Sequence, residues 1–177
     1  MITFKFKLSE EEYYQYNYYT AWASPNKKSF RVWYFLRVLL LYGAVALLYI
    51  VASHSHILWV DITVFVVTGL AYLFLVPVFV KRSVRRRVRD ILAKKENQHI
   101  LDESEVILSD TGIIDKDSLS ESRYTWDAVV HFADTQDSYY LYTNSYHAIV
   151  IPKRAIKSGE EHRETERLLN QHLPLQA

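Results

Sequence analysis

The side chains best equipped for chemistry are scattered along this chain. His54 and His56 lie one residue apart, a spacing that would bind a metal ion or sense pH. No third histidine or carboxylate stands beside them, so they supply two ligands only. Asp110, Asp115 and Asp117 would hold a divalent cation, and suit polar β-turns equally well. Serine, histidine and aspartate are all present, but no Gly-x-Ser-x-Gly elbow, His-Glu-x-x-His pair, P-loop or Gly-x-Gly-x-x-Gly orders them. With four glycines in all, there is little material for a phosphate-cradling loop. The absence of cysteine excludes disulfides, thiolate metal sites and a cysteine nucleophile. The residues therefore predict no enzyme, no cofactor and no metal.

Charge is the stronger signal. Lys81, Arg82, Arg85, Arg86, Arg87, Arg89, Lys94 and Lys95 crowd together with only Asp90 opposing them. Such a cluster binds anionic lipid headgroups or nucleic acid, or sets the orientation of a membrane segment. It directly follows an apolar run, which favours the last reading, and nothing else in the chain supports nucleic-acid binding. A second basic point is Lys153-Arg154, after Pro152 and close to Lys157. It would face phosphates or a protein partner, or else pair with acids at the end of a strand. Acids are abundant nearby: ten lie between Asp102 and Asp137, opposed by Lys116 and Arg123 alone. The net charge of +1 thus averages very unequal blocks.

The elements that carry these charges begin with two apolar runs, 32–53 and 57–80. A bilayer core about 30 Å thick takes about 20 helical residues to cross, so each run is long enough. Together they predict a transmembrane hairpin with a tight loop at Ser53 to His56 and Trp59 at the interface. Arg37 sits near the start of the first run, within reach of the headgroups beside Lys27, Lys28 and Arg31. Asp61 sits near the start of the second, at the opposite depth, so the two do not pair. It reads as a proton or ion site, or more simply as an interfacial residue at a short loop. Gly43, Ala44, Ala46, Thr68, Gly69 and Ala71 are small enough to let the helices approach closely. Lysines and arginines flank the hairpin on its outer ends and are missing from its loop, which places both termini in the cytoplasm. The N-terminus lacks the pattern of a secretory signal.

Before the hairpin, Ile2, Phe4, Phe6 and Leu8 alternate with polar residues as in a half-buried strand. Ser9 and Glu12 then form a capping box for a helix over Glu10 to Trp22, rich in tyrosine on every side. Those rings suit either the headgroup layer or packing on the soluble domain. Ser24-Pro25-Asn26 breaks that helix. After the hairpin, the basic segment 81–96 continues as a helix, with Val84, Val88, Ile91 and Leu92 at helical spacing. From residue 97 the pattern is β: short strands with a hairpin turning at Asn144-Ser145, then a helix opened by Ser158 and Glu161 and stopped at Pro174. Four segments result: 1–31, 32–80, 81–96 and 97–177. The fold class is α+β, a two-helix hairpin plus a small antiparallel barrel or sandwich closed by a C-terminal helix. That order is pleckstrin-homology-like. Some 80 residues fold alone only marginally, so the N-terminal strand or the tyrosine helix is expected to dock on this domain.

Three features together resemble the YcxB-like family of bacterial membrane proteins. They are the Trp126-Asp127-Ala128-Val129 turn; Tyr139-Tyr140-Leu141-Tyr142 followed by Ala148-Ile149-Val150-Ile151-Pro152-Lys153-Arg154-Ala155; and the order of the segments. The likeness is sharpest over Thr125 to Ala155. It implies a bacterial inner-membrane protein with a cytosolic pleckstrin-homology-like domain, and carries over no catalytic residue. The expected function is a membrane-anchored, non-enzymatic adaptor or regulator that binds a protein partner or itself. The alternatives are a sensor of anionic lipid acting through Arg85, Arg86, Arg87, Arg89, Lys153 and Arg154, and a small transporter subunit using Asp61.

Overall fold

A computed structural model describes residues 1–53 and 58–173. The His54–His56 loop and Pro174 lie outside the described residues. The chain forms two compact units: Met1–Tyr16 with Val88–Ala177, and Asn17–Arg87.

The first unit is built on seven strands. β1 (Ile2–Lys7), β2 (Glu103–Ser109), β3 (Gly112–Lys116) and β4 (Glu121–Tyr124) make a four-stranded antiparallel sheet in that order. β5 (His131–Asp134), β6 (Ser138–Tyr142) and β7 (Ala148–Pro152) make a three-stranded one. The N-terminal strand is thus a full member of the sheet: Ile2 stands opposite Leu108, Phe4 opposite Val106 and Lys7 opposite Glu103. The whole second unit is inserted between two strands that pair with each other. Its alternating sequence gives β1 one buried face, with Ile2, Phe4 and Phe6 in the core and Thr3, Lys5 and Lys7 exposed. Gly112 closes the β2–β3 turn at a φ of 154°, and a Cβ there would collide with the Tyr124 carbonyl oxygen.

The strands do not close into a barrel. Between β4 and β5 the chain makes a 3-10 turn, Trp126–Ala128, and the two sheets remain separate ladders. Trp126 is held there by an indole N–H bond to the Ser109 carbonyl (2.9 Å) and by stacking on the His172 ring, centroids 4.8 Å apart. It is a core residue, not an exposed platform. The core between the sheets is made by Phe4, Val106, Leu108, Ile113, Leu141, Ile149 and Ile151. It is closed by α4 (Gly159–His172), whose Leu168 and Leu169 are fully buried. The Ser158 hydroxyl caps α4 by accepting from the Glu161 amide at 3.1 Å, one half of the expected box, while the Glu161 carboxylate accepts from the Lys157 amide at 2.7 Å.

The second unit holds two long apolar helices. α2 (Lys28–Ser53) has 26 residues and α3 (Leu58–Leu92) has 35, the latter running into the basic segment. At about 1.5 Å per residue, both exceed a bilayer core about 30 Å thick. They meet through Tyr42, whose hydroxyl reaches the Thr68 hydroxyl and the Phe65 carbonyl (3.1 Å), and through the paired hydroxyls of Tyr34 and Tyr72 (3.2 Å). Gly69 makes room for the Tyr42 ring, which a Cβ there would touch at 3.4 Å. Gly43 serves no such purpose: a Cβ on it would meet nothing within 4 Å, so that small residue lies off the helix contact.

Candidate functional site

The tyrosine-rich segment forms α1 (Glu10–Tyr18), shorter than the sequence predicts because its last turn widens into a π-helix, Tyr19–Ala23. Its start follows from the capping box. The Ser9 amide donates to Glu12 Oε2 at 2.8 Å, and the Glu12 amide donates to Ser9 Oγ at 3.2 Å. Its first half packs on the three-stranded sheet. Tyr14 is buried, and the Tyr16 ring lies 5.7 Å from Tyr140 and 6.5 Å from Tyr142. The Tyr16 hydroxyl donates to the Tyr146 carbonyl (2.6 Å) and accepts from the Ala148 amide (3.2 Å), bridging the β6–β7 hairpin. Of the two uses open to these rings, Tyr14 and Tyr16 serve the second, packing on the folded domain.

At the N-terminal end of α1 stands the lip formed by Lys153 and Arg154. Arg154 Nε donates to Glu12 Oε1 at 2.6 Å and Nη2 to Glu12 Oε2 at 2.8 Å, with a further bond from Nη2 to the Lys7 carbonyl at 2.6 Å. This two-pronged clamp ties the end of β7 to the cap of α1 and to the end of β1. Partial burial would raise the Glu12 pKa, but the Arg154 bond and the Ser9 amide and hydroxyl outweigh it and hold the carboxyl at about 2. Lys153 Nζ lies 2.6 Å from Asp134 Oδ1 and 4.8 Å from the centre of the Tyr139 ring. Both cations of the lip are therefore engaged by acids of their own unit. They line a polar cleft of about 330 Å³ with Glu11, Glu12, Gln15 and Asp137, a mixed-charge surface rather than a phosphate pocket.

The remaining predicted residues belong to the long helices. Arg85, Arg86, Arg87 and Arg89 are exposed on α3, while Val88 between them is buried. Arg37 is exposed on α2, next to the half-buried Val38. Asp61 falls in the first turn of α3, and its Oδ2 is buried without a hydrogen-bond partner among the described residues.

The three aspartates are not gathered. Asp117 closes its own turn by accepting from the Leu119 and Ser120 amides at 2.7 and 2.6 Å, which lower its pKa. Asp110 pairs with Arg167 at 3.2 Å. Asp115 lies opposite Val106 on the core-facing side of the sheet, where burial raises its pKa and the nearby His147 opposes the rise. Among the described residues no three His, Asp or Glu side chains come together to hold a metal.

One partner in this region has no sequence signal: Glu12 and Arg154 are 142 residues apart. The Lys153–Asp134 pair is the alternative left open above, a cation of the lip paired with the acidic stretch. A capping-box glutamate is fully explained by its local role, so its second bond leaves no mark on spacing.

Comparison with curated proteins gives no match, and comparison with solved structures gives none either. Residues 108–169, from the end of β2 into α4, match the family model described as YcxB-like protein, the family this sequence resembles.

Proposed function

We propose that this chain is an integral membrane protein that holds a pleckstrin-homology-like interaction domain at the cytoplasmic face of a bacterial inner membrane. There it acts as a non-enzymatic adaptor or regulator for a protein partner or a second copy. One observation carries the reading: the apolar helices show their side chains outward. Leu40, Leu41, Leu48, Phe74 and Phe79 are between 59% and 78% exposed. The most apolar windows are 0% and 6% buried within the fold, which supports membrane helices over core helices of a water-soluble domain. An exposed apolar surface of this extent needs lipid or protein around it. The positive-inside distribution of Lys27, Lys28, Arg31 and the Lys81–Arg89 cluster supports an orientation with both termini on the cytoplasmic side. Seven strands in two sheets with a closing helix support the pleckstrin-homology-like assignment by their order, without a closed barrel.

Extraction of bacterial membranes tests this directly. The chain should resist alkaline carbonate and dissolve only in detergent, and release by carbonate alone would refute insertion. A second reading, response to anionic lipid, is favoured by the four arginines exposed close together on α3. Replacing Arg85, Arg86, Arg87 and Arg89 together with glutamine should abolish enrichment of anionic lipid around the detergent-extracted chain. Unchanged enrichment would end that reading.

A further inference from the structure

The outward face of the four-stranded sheet has an unusual pattern. Facing residues across the strands form two rows. One reads Lys5, Glu105, Lys116, Glu121, and the next reads Thr3, Ile107, Ile114, Arg123. Ile107 and Ile114 are half-buried at the middle of the face, at positions where alternation elsewhere puts polar side chains. Leu119, 72% exposed, stands on the adjoining β3–β4 turn. An apolar centre with a charged rim is the anatomy of an interface.

The order of the charges identifies the partner. A two-fold axis parallel to the strands, between β2 and β3, lays β1 over β4 of the second copy and β2 over β3. The row of alternating charge is then read backwards against itself. Lys5 meets Glu121, Glu105 meets Lys116, and Ile107 meets Ile114. Every contact is favourable, and each occurs twice, as an isologous interface requires.

We propose that this face docks a second copy of the chain, sheet against sheet. Stacked sheets lie about 10 Å apart with their strands about 30° from parallel, so registry is kept best at the central isoleucines and the Glu105–Lys116 contacts. The proposal deepens the interaction-module reading and rests on it. Four strands of this length present roughly 300 Å² per copy, well below the roughly 800 Å² of a standard interface, so pairing relies on both copies being held in one membrane. The charges already have partners within the sheet, such as Lys5 Nζ with Glu105 Oε1 at 3.4 Å, and they supply register more than affinity.

The test uses the full chain in membranes and exploits its lack of cysteine. Ile107→Cys should crosslink into dimers with a short bismaleimide. Thr3→Cys, whose copies would stand about 14 Å apart laterally and roughly 17 Å apart in all once the sheet separation is included, should yield several-fold less. Adding Lys5→Glu to Ile107→Cys should lower the dimer yield several-fold by setting like charges together across the copies. Adding Glu121→Lys as well should restore it. Lys5 and Glu121 lie on the two outer strands of one sheet and face Glu105 and Lys116 there, so the double exchange repairs nothing within a sheet. Restoration is therefore specific to a contact between copies. All of these side chains point away from the core, so the unit folds with either charge. Equal yields at positions 107 and 3, or a double exchange as poor as the single one, would overturn the proposal. Membrane fractionation of the same samples separates the two readings. A chain that stays in the membrane without the position-107 dimer removes the docking face alone, whereas a chain absent from the membrane removes the anchoring as well.

Discussion

The two sheets of the first unit solve the same problem differently. In the four-stranded sheet, β1 alternates buried and exposed along its whole length. In the three-stranded sheet, every residue of β6 and β7 is buried. The inward side chains are equivalent, since Phe4 and Val106 from one sheet and Leu141 and Ile149 from the other share one core. The difference lies outside. Tyr140 and Tyr142 are roofed by Tyr16 of α1, whereas Thr3, Lys5 and Arg123 face solvent. A sheet covered on both sides reads as a continuous apolar run, and one covered on one side reads as alternation. The sealed sheet is thus committed to a contact within the chain, and the open one is available to a contact outside it.

Truncation of outward residues is the sharpest way to break that contrast. Tyr140→Ala should cost about 3 kcal/mol in urea unfolding of the detergent-solubilised chain, because it empties the space under α1. Gly112→Ala should cost about 2 kcal/mol, since its Cβ has no room beside the Tyr124 carbonyl and its φ is unfavourable for alanine. Arg154→Ala should cost about 1 kcal/mol by releasing the Glu12 clamp. Lys5→Ala, outward on the open sheet, should stay within about 0.5 kcal/mol of the parent chain. If Lys5→Ala matched Tyr140→Ala, the two outer faces would not differ as described.

The clamp also has a pH signature. The Glu12 carboxyl titrates at about 2 in the folded chain against an ordinary value of 4.5. Its folded pKa is depressed, so its contribution is complete above about pH 4.5 and is lost as pH falls toward 2. Acid unfolding of Arg154→Ala should therefore show a smaller loss of stability across that window than the parent chain. Identical curves would mean that Arg154 does not hold the carboxylate.

Much of this architecture was legible because it depends on local pattern. Ile2, Phe4 and Phe6 announced a one-sided strand, Ser9–Glu12 and Ser158–Glu161 announced helix starts, and two runs of over 20 apolar residues announced long helices. The shared core was anticipated only as a need for the small domain to be completed, not as the six-residue pairing of β1 with β2. The choice between barrel and sandwich stays open in the sequence, because nothing in Thr125–Val130 distinguishes a turn within a barrel from a break between sheets. Lys153-Arg154 is legible as a cationic pair, and the acidic stretch that supplies Asp134 is legible as its counterpart, but Glu12 comes from a distant segment and spacing cannot report that.

Everything proposed for function depends on the second unit crossing a membrane, and the cysteine-free sequence makes that measurable. Ser55→Cys in the loop between the apolar runs and Ser118→Cys on the β3–β4 turn would be labelled in spheroplasts, cells stripped of their outer membrane, with a maleimide that cannot cross the inner membrane. The account predicts that Ser55→Cys reacts in intact spheroplasts and that Ser118→Cys reacts only after lysis. Protection of both positions until lysis would contradict it.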